Sequence, residues 1–539
     1  MAANFTLFDW LVIAGYIALL VVMGWVFSSR KSENSRDYFL GGNTMPYWVV
    51  AISVLATSQS AATFLGGPDQ GYRGNYTYLA TNIGTIIAAI FVAKILIPKF
   101  YKLKVTTVYE LLANRFNDNT MRAAGGMYLI GRVFASGSRL FLAAIAVSMI
   151  LFSNIEASSI IFSAFLMMVL GFLITFLGGI KSVIWSDLIQ FFIYWGAAIA
   201  VLFILWKAIP ADGADIFQAL KNAPISDGAD GDVQNKLKFF DFSFDFTKPF
   251  AMISVLTGMT LLAIASFGMD QDMTQRVLTC KDEKDGARSL ILAAVLTIPV
   301  VWVFVSIGQL LHVFYERPEL MGADITSAVG REFEGEKITV FMHYILKELP
   351  TGMRGLVTVG VIAAAVSTIN SGLNSMSSVI VEDFYRPWKT KKKNNSEISD
   401  RHFVRAGQVS MGVVGLALFL MSVLCFYWQR YSEMPLLDFA LSVMVFSYSG
   451  LLGVYFTVLF TKRGSHASVL WALAIGFFVT LLMQGFVMDN LPLPDSFKTI
   501  KSLAFSWKLC IGTLVAFLVC MMGNNNNLTA EKEIAEKTA

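Results

Sequence analysis

The chain has 539 residues, 55% of them hydrophobic and only 15% charged, with a mean hydropathy of +0.61. A soluble protein of that length would form several domains and would need nearer a quarter charged residues to cover their surfaces. The hydrophobicity excludes a disordered chain, a net charge of +4 spread over short loops argues against nucleic-acid binding, and four cysteines, three of them in apolar runs, exclude a disulfide scaffold. What remains is an all-α polytopic membrane protein.

A membrane-crossing helix needs roughly 20 apolar residues. In chain order such runs fall at 8–27, 46–65, 77–97, 123–152, 159–177, 183–209, 251–270, 289–315, 350–385, 406–428, 436–461, 466–487 and 503–522. That is about 13 spans. The first is read as a retained helix rather than a signal peptide, because no Lys or Arg precedes Phe8 and no small-x-small cleavage site precedes Ser28.

Lys and Arg in short loops set the orientation. They cluster in alternate loops: Arg30, Lys31 and Arg36; Lys99, Lys102, Lys104, Arg115 and Arg122; Arg276, Lys281, Lys284 and Arg288; and Arg386 to Arg405. The intervening loops are acidic, with seven Asp between Asp212 and Asp245 and five Glu between Glu316 and Glu336. The N-terminus is therefore expected outside and the tail after Gly523 inside. The stretches 211–249 and 316–349 read as loops, and the tail is too short to be a receptor's output domain. Nothing marks an obligate protein partner; the bilayer and a small molecule are the expected ones.

Polar groups at membrane depth are functional by default, and four stretches carry them. In the second run, Thr57, Ser58, Gln59 and Ser60 are followed by Gly66, Gly67 and Pro68. Such a segment invites local unwinding, which frees carbonyls for a cation; small-residue packing is the plain alternative. In the ninth run, Ser367, Ser371, Asn374 and Ser378 share one helical face, with Thr368 beside Ser367. Those oxygens suit a hard monovalent cation, or equally a close helix interface. Asp187 starts a run from its inner side, as a cation ligand or as a carboxylate on a helix N-terminus. Arg132 and Arg139 lie seven residues apart on one face, positioned for a substrate carboxylate or for protein carbonyls.

Two of these stretches carry a family resemblance. Gly178-Gly-Ile-Lys-Ser-Val-Ile-Trp-Ser-Asp-Leu-Ile-Gln190 and Ala363-Ala-Ala-Val-Ser-Thr-Ile-Asn-Ser-Gly-Leu-Asn-Ser375 resemble the two signatures of the sodium/solute symporters, the relatives of the bacterial sodium/galactose, sodium/proline and sodium/sialic acid carriers. Asp37-Tyr-Phe-Leu-Gly-Gly42 and Val108-Tyr-Glu-Leu-Leu-Ala-Asn-Arg-Phe116, before the first signature, and Gln271-Asp-Met-Thr-Gln-Arg276, between the two, also match. The resemblance implies a LeuT-type 5+5 inverted repeat. An extra helix and cytoplasmic loop would occupy 1–45, repeat one 46–209, an extracytoplasmic loop 210–250, repeat two 251–461, further helices 462–522 and a cytoplasmic tail 523–539. The first helix of each repeat is then expected to break at the midplane, at Thr57–Ser60 and near Thr257–Gly268.

Position by position, the resemblance implies a sodium site from the carbonyls of Ala56, Gln59 and Ala364 and the hydroxyls of Ser367 and Thr368. A second sodium, held in some relatives, maps to Asp187, Ser367, Asn370 and Ser371, with Asn370 standing where those relatives have Ser. The sialic acid carriers' pocket maps to Ser58, Ser60, Thr63, Tyr78 and Asn82; their carboxylate-binding Arg aligns with Ala135, about one turn from both Arg132 and Arg139. The implied function is a sodium-coupled symporter, with one or two ions, for a sugar or sugar acid, sialic acid first, in a bacterial inner membrane. A proton-coupled carrier is the nearest rival, since Asp187 can titrate; a sensor or channel of the same fold finds no feature here. An embedded enzyme is not expected, because His312, His343, His402 and His466 lie in separate segments without ligand spacing.

Overall fold

The computed structural model describes residues 5–28, 34–224, 233–322, 332–333, 336–337, 339–350, 352–392, 398–429, 436–488 and 498–524. Among them the fold is helical apart from two ladders of two-residue strands, Ala223–Pro224 with Val233–Gln234 and Glu332–Phe333 with Glu336–Lys337. The principal helices are α1 (Leu7–Ser28), α2 (Ser35–Leu40), α3 (Tyr47–Ser58), α4 (Ala61–Arg73), α5 (Tyr76–Leu103), α6 (Asp118–Leu151), α7 (Ala157–Phe176), α8 (Gly178–Ala208) and α9 (Gly213–Lys221). After the loop that follows α9 come α10 (Met252–Gly268), α11 (Gln271–Val277), α12 (Glu283–Glu316), α13 (Val340–Lys347), α14 (Met353–Val379), α15 (Asp400–Gln429), α16 (Leu436–Phe460), α17 (His466–Leu482) and α18 (Phe505–Met521).

Seven described helices are long and apolar enough to cross a membrane; two bent pairs, α3 with α4 and α10 with α11, raise that to nine. Four shorter apolar helices lie within α1, α16, α17 and α18. Each of these falls in or overlaps a run expected from hydropathy except α11, which lies beyond the end of the 251–270 run. The environment differs sharply along the chain. The apolar window of α14 is 94% buried inside the protein, whereas those of α7 and α8 are 39% buried. On α15, Val409, Val413, Leu416, Leu420 and Leu424 form an exposed stripe at helical spacing, the face such a helix turns to lipid. Thus α14 is the axis of the bundle, packed on α8, α6 and α3.

Two glycines fix how the helices meet. Gly179, at φ +57°, separates α7 from α8, and a Cβ there would sit 2.4 Å from the Tyr38 carbonyl of α2. Gly71 lets α4 touch α12, since a Cβ would lie 2.2 Å from the Val305 carbonyl.

Both bent pairs break for local reasons. At the end of α3, Thr57 Oγ1 donates to the Ser53 carbonyl at 2.9 Å and Ser58 Oγ to the Leu55 carbonyl at 2.7 Å, side-chain bonds that compete with the helix ladder. Gln59 and Ser60 are extended, and α4 leaves at 64° to α3. In the second pair the bend is 59°; Met269 leaves the helix, and Asp270 caps α11 by accepting from the Asp272 N–H at 2.9 Å. This break begins at Gly268, the end of the expected window. Gly258, the other expected bending point, instead lies in a π-helical turn packed against Ser506.

Candidate functional site

The face of α14 predicted from its Ser and Asn spacing is entirely buried, and it meets α8 and α11. Ser367 Oγ donates to Asp187 Oδ1 at 2.7 Å, and Ser371 Oγ to Asp272 Oδ2 at 3.1 Å. Gln275 donates to Asn374 Oδ1 at 2.9 Å and Gln271 to Ser378 Oγ at 3.3 Å. One helical stripe thus holds the whole of α11.

Asp187 is the pivot. It lies nine residues inside α8, away from the helix N-terminus, so the dipole explanation open at the sequence level does not apply. Its Oδ2 accepts from Ser53 Oγ of α3 at 2.5 Å and from Arg276 Nη2 at 3.1 Å. Arg276, counted from sequence with the positive charges of a cytoplasmic loop, is fully buried; its Nη1 meets Asp272 Oδ1 at 2.7 Å. Asp272 also binds Arg132, whose Nη1 reaches Asp270 Oδ2 at 3.0 Å; Asp270 accepts from Tyr448 as well. The result is a buried ladder, Asp187–Arg276–Asp272–Arg132–Asp270, joining α8, α11 and α6.

Asp187 tied to both Ser53 and Ser367 clamps α3 to α14. The expected sodium oxygens lie within a turn of that clamp: Ala56 is three residues past Ser53, and Thr368 adjoins Ser367, its Oγ1 bound to the Ala364 carbonyl at 3.1 Å. Since α3 ends at Ser58, its last carbonyls lack the next helical N–H groups. They point negative dipole ends into the break. Ser367 donates its one proton to Asp187 and keeps its lone pairs for a cation.

The second sodium set is only partly gathered. Asp187 and Ser367 meet, Ser371 turns to Asp272, and Asn370 packs into the notch at Gly171 of α7, where its amide nitrogen donates to the Gly171 carbonyl at 2.8 Å.

Of the expected substrate residues, Ser60, Thr63 and Asn82 are buried at 3%, 7% and 4% exposure, while Ser58 and Tyr78 are half-buried. Asn82 donates to the Leu79 carbonyl at 2.9 Å, and Tyr78 meets Phe250, just before α10, edge to face. Arg132 is committed to the ladder. Arg139 lies two turns further along the same face of α6, also buried, within electrostatic range of Tyr448 and Asp270.

The described residues 233–250 pack over this end. Phe239 stacks on Tyr76 at 4.9 Å. Lys236 is fully buried; its Nζ donates to the carbonyls of Tyr72 and Gly74 at 2.6 and 2.9 Å, capping α4, and burial pushes its ammonium down to about 8.

Ser53, Asp270, Asp272, Arg276 and Tyr448 were not singled out from sequence. For the α11 residues a signal existed: three charges within seven residues directly after an apolar run. The matched Val108–Phe116 segment acts as a brace. Tyr109 Oη donates to the Met269 carbonyl at 2.9 Å, and Arg115 binds the Val458 and Thr461 carbonyls at 2.7 and 2.6 Å at the end of α16.

Comparison with known proteins places the fold and the family. The chain is similar to the sodium/sialic acid symporter SiaT of Proteus mirabilis, 26% identical across 89% of this chain and 90% of that protein. It is similar to the sodium/sialic acid symporter NanT of Aliivibrio fischeri, 27% identical across 100% of this chain and 99% of the relative. Its fold matches a substrate-bound, outward-open structure of a Na+-coupled sialic acid symporter with a TM-score of 0.76 at 24% identity, over 96% of this chain and 97% of that one. The fold is of the LeuT type, and the protein is a multi-pass membrane transporter rather than an enzyme. With residues 38–476 matching the family model, the chain belongs to the sodium:solute symporter family.

Proposed function

We propose that this protein imports a sialic acid or a closely similar sugar acid with sodium, by alternating access, across a bacterial inner membrane with its N-terminus outside and its C-terminus inside. The observation that carries the sodium reading is the Ser53–Asp187–Ser367 clamp. It links α3, three residues before Ala56, to α14 at Ser367, beside Thr368, and so supports a site shared between the two helices. A sodium held by Ala56, Gln59, Ala364, Ser367 and Thr368 ties the two helices together, and substrate on the outer side then completes closure. The two affinities rise together, by linkage. Asp187 is bound to Arg276, which favours sodium over a proton as the coupled ion.

For the substrate, the hydroxyls of Ser58, Ser60 and Thr63 and the Asn82 amide suit a polyhydroxylated solute, with Tyr78 as its apolar wall. Arg139, buried on the same face of α6 as Arg132, is the guanidinium assigned to the carboxylate. A carboxylate beside the N-terminus of α4 gains from the helix dipole as well.

The test is uptake of labelled N-acetylneuraminic acid into proteoliposomes, with sodium varied at fixed pH. Accumulation that follows the inward sodium gradient is expected. Uptake that ignores sodium but follows a proton gradient overturns the coupling. Sodium-stabilised protein without N-acetylneuraminate uptake overturns the substrate alone, and turns the search to neutral sugars, polyols and organic acids.

A further inference from the structure

One stretch of the described surface is apolar in the wrong direction for water. It reads Phe240-Asp-Phe-Ser-Phe-Asp-Phe246. Every Phe in it is exposed, Phe242 and Phe244 at 74% and 81%, while Asp241, Ser243 and Asp245 are half-buried. The polar side is taken up by the protein itself. Asp241 pairs with Lys238 at 3.0 Å and Lys248 at 3.6 Å, and its carbonyl accepts from the Met252 N–H at 2.7 Å at the start of α10. A segment facing water turns its charges outward and its rings inward; this one does the reverse, as a surface facing an apolar medium does.

The strip also continues a lipid-facing surface. The Ala504 N–H, just before α18, donates to the Phe246 carbonyl at 2.9 Å, and the Phe246 ring meets Trp507 edge to face at 4.9 Å. Trp507, Ile511, Leu514 and Leu518 share one face of α18; none is buried, and Leu514 and Leu518 are exposed. With 17 residues α18 is about 25 Å long, short of a hydrocarbon core of roughly 30 Å. The apolar layer therefore reaches beyond the helix, and the strip is attached where the helix begins.

We propose that the Phe240–Phe246 strip inserts into the interfacial layer of the bilayer beside α18, as an aromatic anchor for the segment that packs over Tyr76 and Tyr78. Phe side chains of interfacial segments bury at the boundary of headgroups and acyl chains, and Trp507, on which the strip rests, is of a residue type enriched there. The flanking Lys238 and Lys248, both about half exposed, carry their charges at headgroup level. The residues on either side of the strip grip the start of α5: Phe239 stacks on Tyr76 at 4.9 Å, and Phe250 meets Tyr78. The bilayer is thereby joined to the turn that carries Tyr78. This goes beyond the transport reading above and does not depend on which solute or ion is carried.

The test reads the surroundings of the strip directly. Single nitroxide labels are placed by Phe242→Cys and Phe244→Cys in the full-length protein carrying Cys510→Ala, the other native cysteines being buried. The protein is reconstituted in phosphatidylcholine–phosphatidylglycerol vesicles. Collision with oxygen, which concentrates in the apolar layer, is compared with collision with a water-soluble nickel chelate. Leu514→Cys on the lipid face of α18 and Lys221→Cys, exposed at the end of α9, are the two references. At Phe242 and Phe244 an oxygen-to-nickel ratio close to that at Leu514, and several-fold above that at Lys221, is expected. A ratio equal to that at Lys221 places the strip in water and overturns the proposal. Low collision with both reagents means that protein covers the strip, a second copy if spin–spin broadening fades on dilution with unlabelled protein, and this overturns it too. Phe240→Cys, also exposed, supplies the reporter should either labelled variant not fold.

Discussion

The two broken helices differ in what fills the break. The α3–α4 break is made of neutral groups: hydroxyls, one amide and backbone carbonyls, with Asp187 reaching it only through Ser53. The α10–α11 break is ionic, with Asp270, Asp272 and Arg276 all buried and Arg132 bound to both acids. Ionic contacts in a dry interior are costly to separate, whereas carbonyls and hydroxyls exchange one partner for another at small cost. On the sodium reading proposed above, one break takes and releases ligands and the other stays assembled. Two helices of similar bend, 64° and 59°, therefore have opposite tasks.

The comparison breaks first at Asp272. Asp272→Ala leaves two buried guanidinium groups without a shared carboxylate, a loss of about 3–5 kcal/mol for a broken buried pair. Expected is a protein that is not monodisperse, or whose melting temperature falls sharply in detergent; a wild-type melt would show that the second break is not held by charge. The neutral break is tested by Ser367→Ala with Thr368→Ala. Sodium half-saturation is expected to rise by about 10- to 100-fold, roughly 1.4–2.8 kcal/mol, with little change in melting temperature without sodium. Unchanged sodium affinity and uptake would remove the first sodium site.

Arg139→Gln sharpens the outer side of the same break. A lost charge-assisted hydrogen bond of about 1.5–3 kcal/mol predicts a roughly 10- to 150-fold higher half-saturation for N-acetylneuraminate. Sodium binding without substrate should hold, measured on the same preparation. A parallel loss of sodium binding would make Arg139 structural.

The smallest effect is at Lys236, which caps the far end of α4. Its folded value is lowered to about 8 from an ordinary 10.5 by burial, against the pull of Glu316. Between those values the undocked loop binds more protons than the docked one, so docking strengthens as pH rises through 8 and the full penalty remains below it. Limited proteolysis of the outer loop, taken as the ratio of wild type to Lys236→Met, should fall from about pH 7 to about pH 9.5. A flat ratio would mean that the ammonium stays charged in place.

The fold was largely legible. Hydropathy located every apolar helix, and four polar residues beside Gly-Gly-Pro marked the first break. The Ser and Asn spacing of α14 gave its face correctly, because a 3.6-residue period survives whatever the partner is. What the spacing does not contain is the partner: that Ser371 meets Asp272 and Asn370 turns to Gly171 depends on contacts 99 residues and about 200 residues away in sequence. Arg276 was misplaced for the same reason. Charge counting treats an arginine near a span end as loop, and burial against Asp187 and Ser53, 89 and 223 residues away, leaves no local trace. The second break, too, begins at the edge of its expected window, because Asp270 rather than a glycine ends the helix by capping the next one.

The number of mobile sodium ions has an energetic consequence. If one mobile sodium accompanies a monoanionic sugar acid, the pair carries no net charge and the membrane potential does no work on it. A tenfold sodium gradient, about 1.4 kcal/mol, then sustains only about tenfold accumulation. A second mobile sodium would add that amount again, plus about 2.3 kcal/mol from a 100 mV potential, for several-thousandfold. A cell relying on the one-ion carrier keeps its inward flow by consuming the solute once inside, not by storing it, and its uptake continues when the membrane is depolarised.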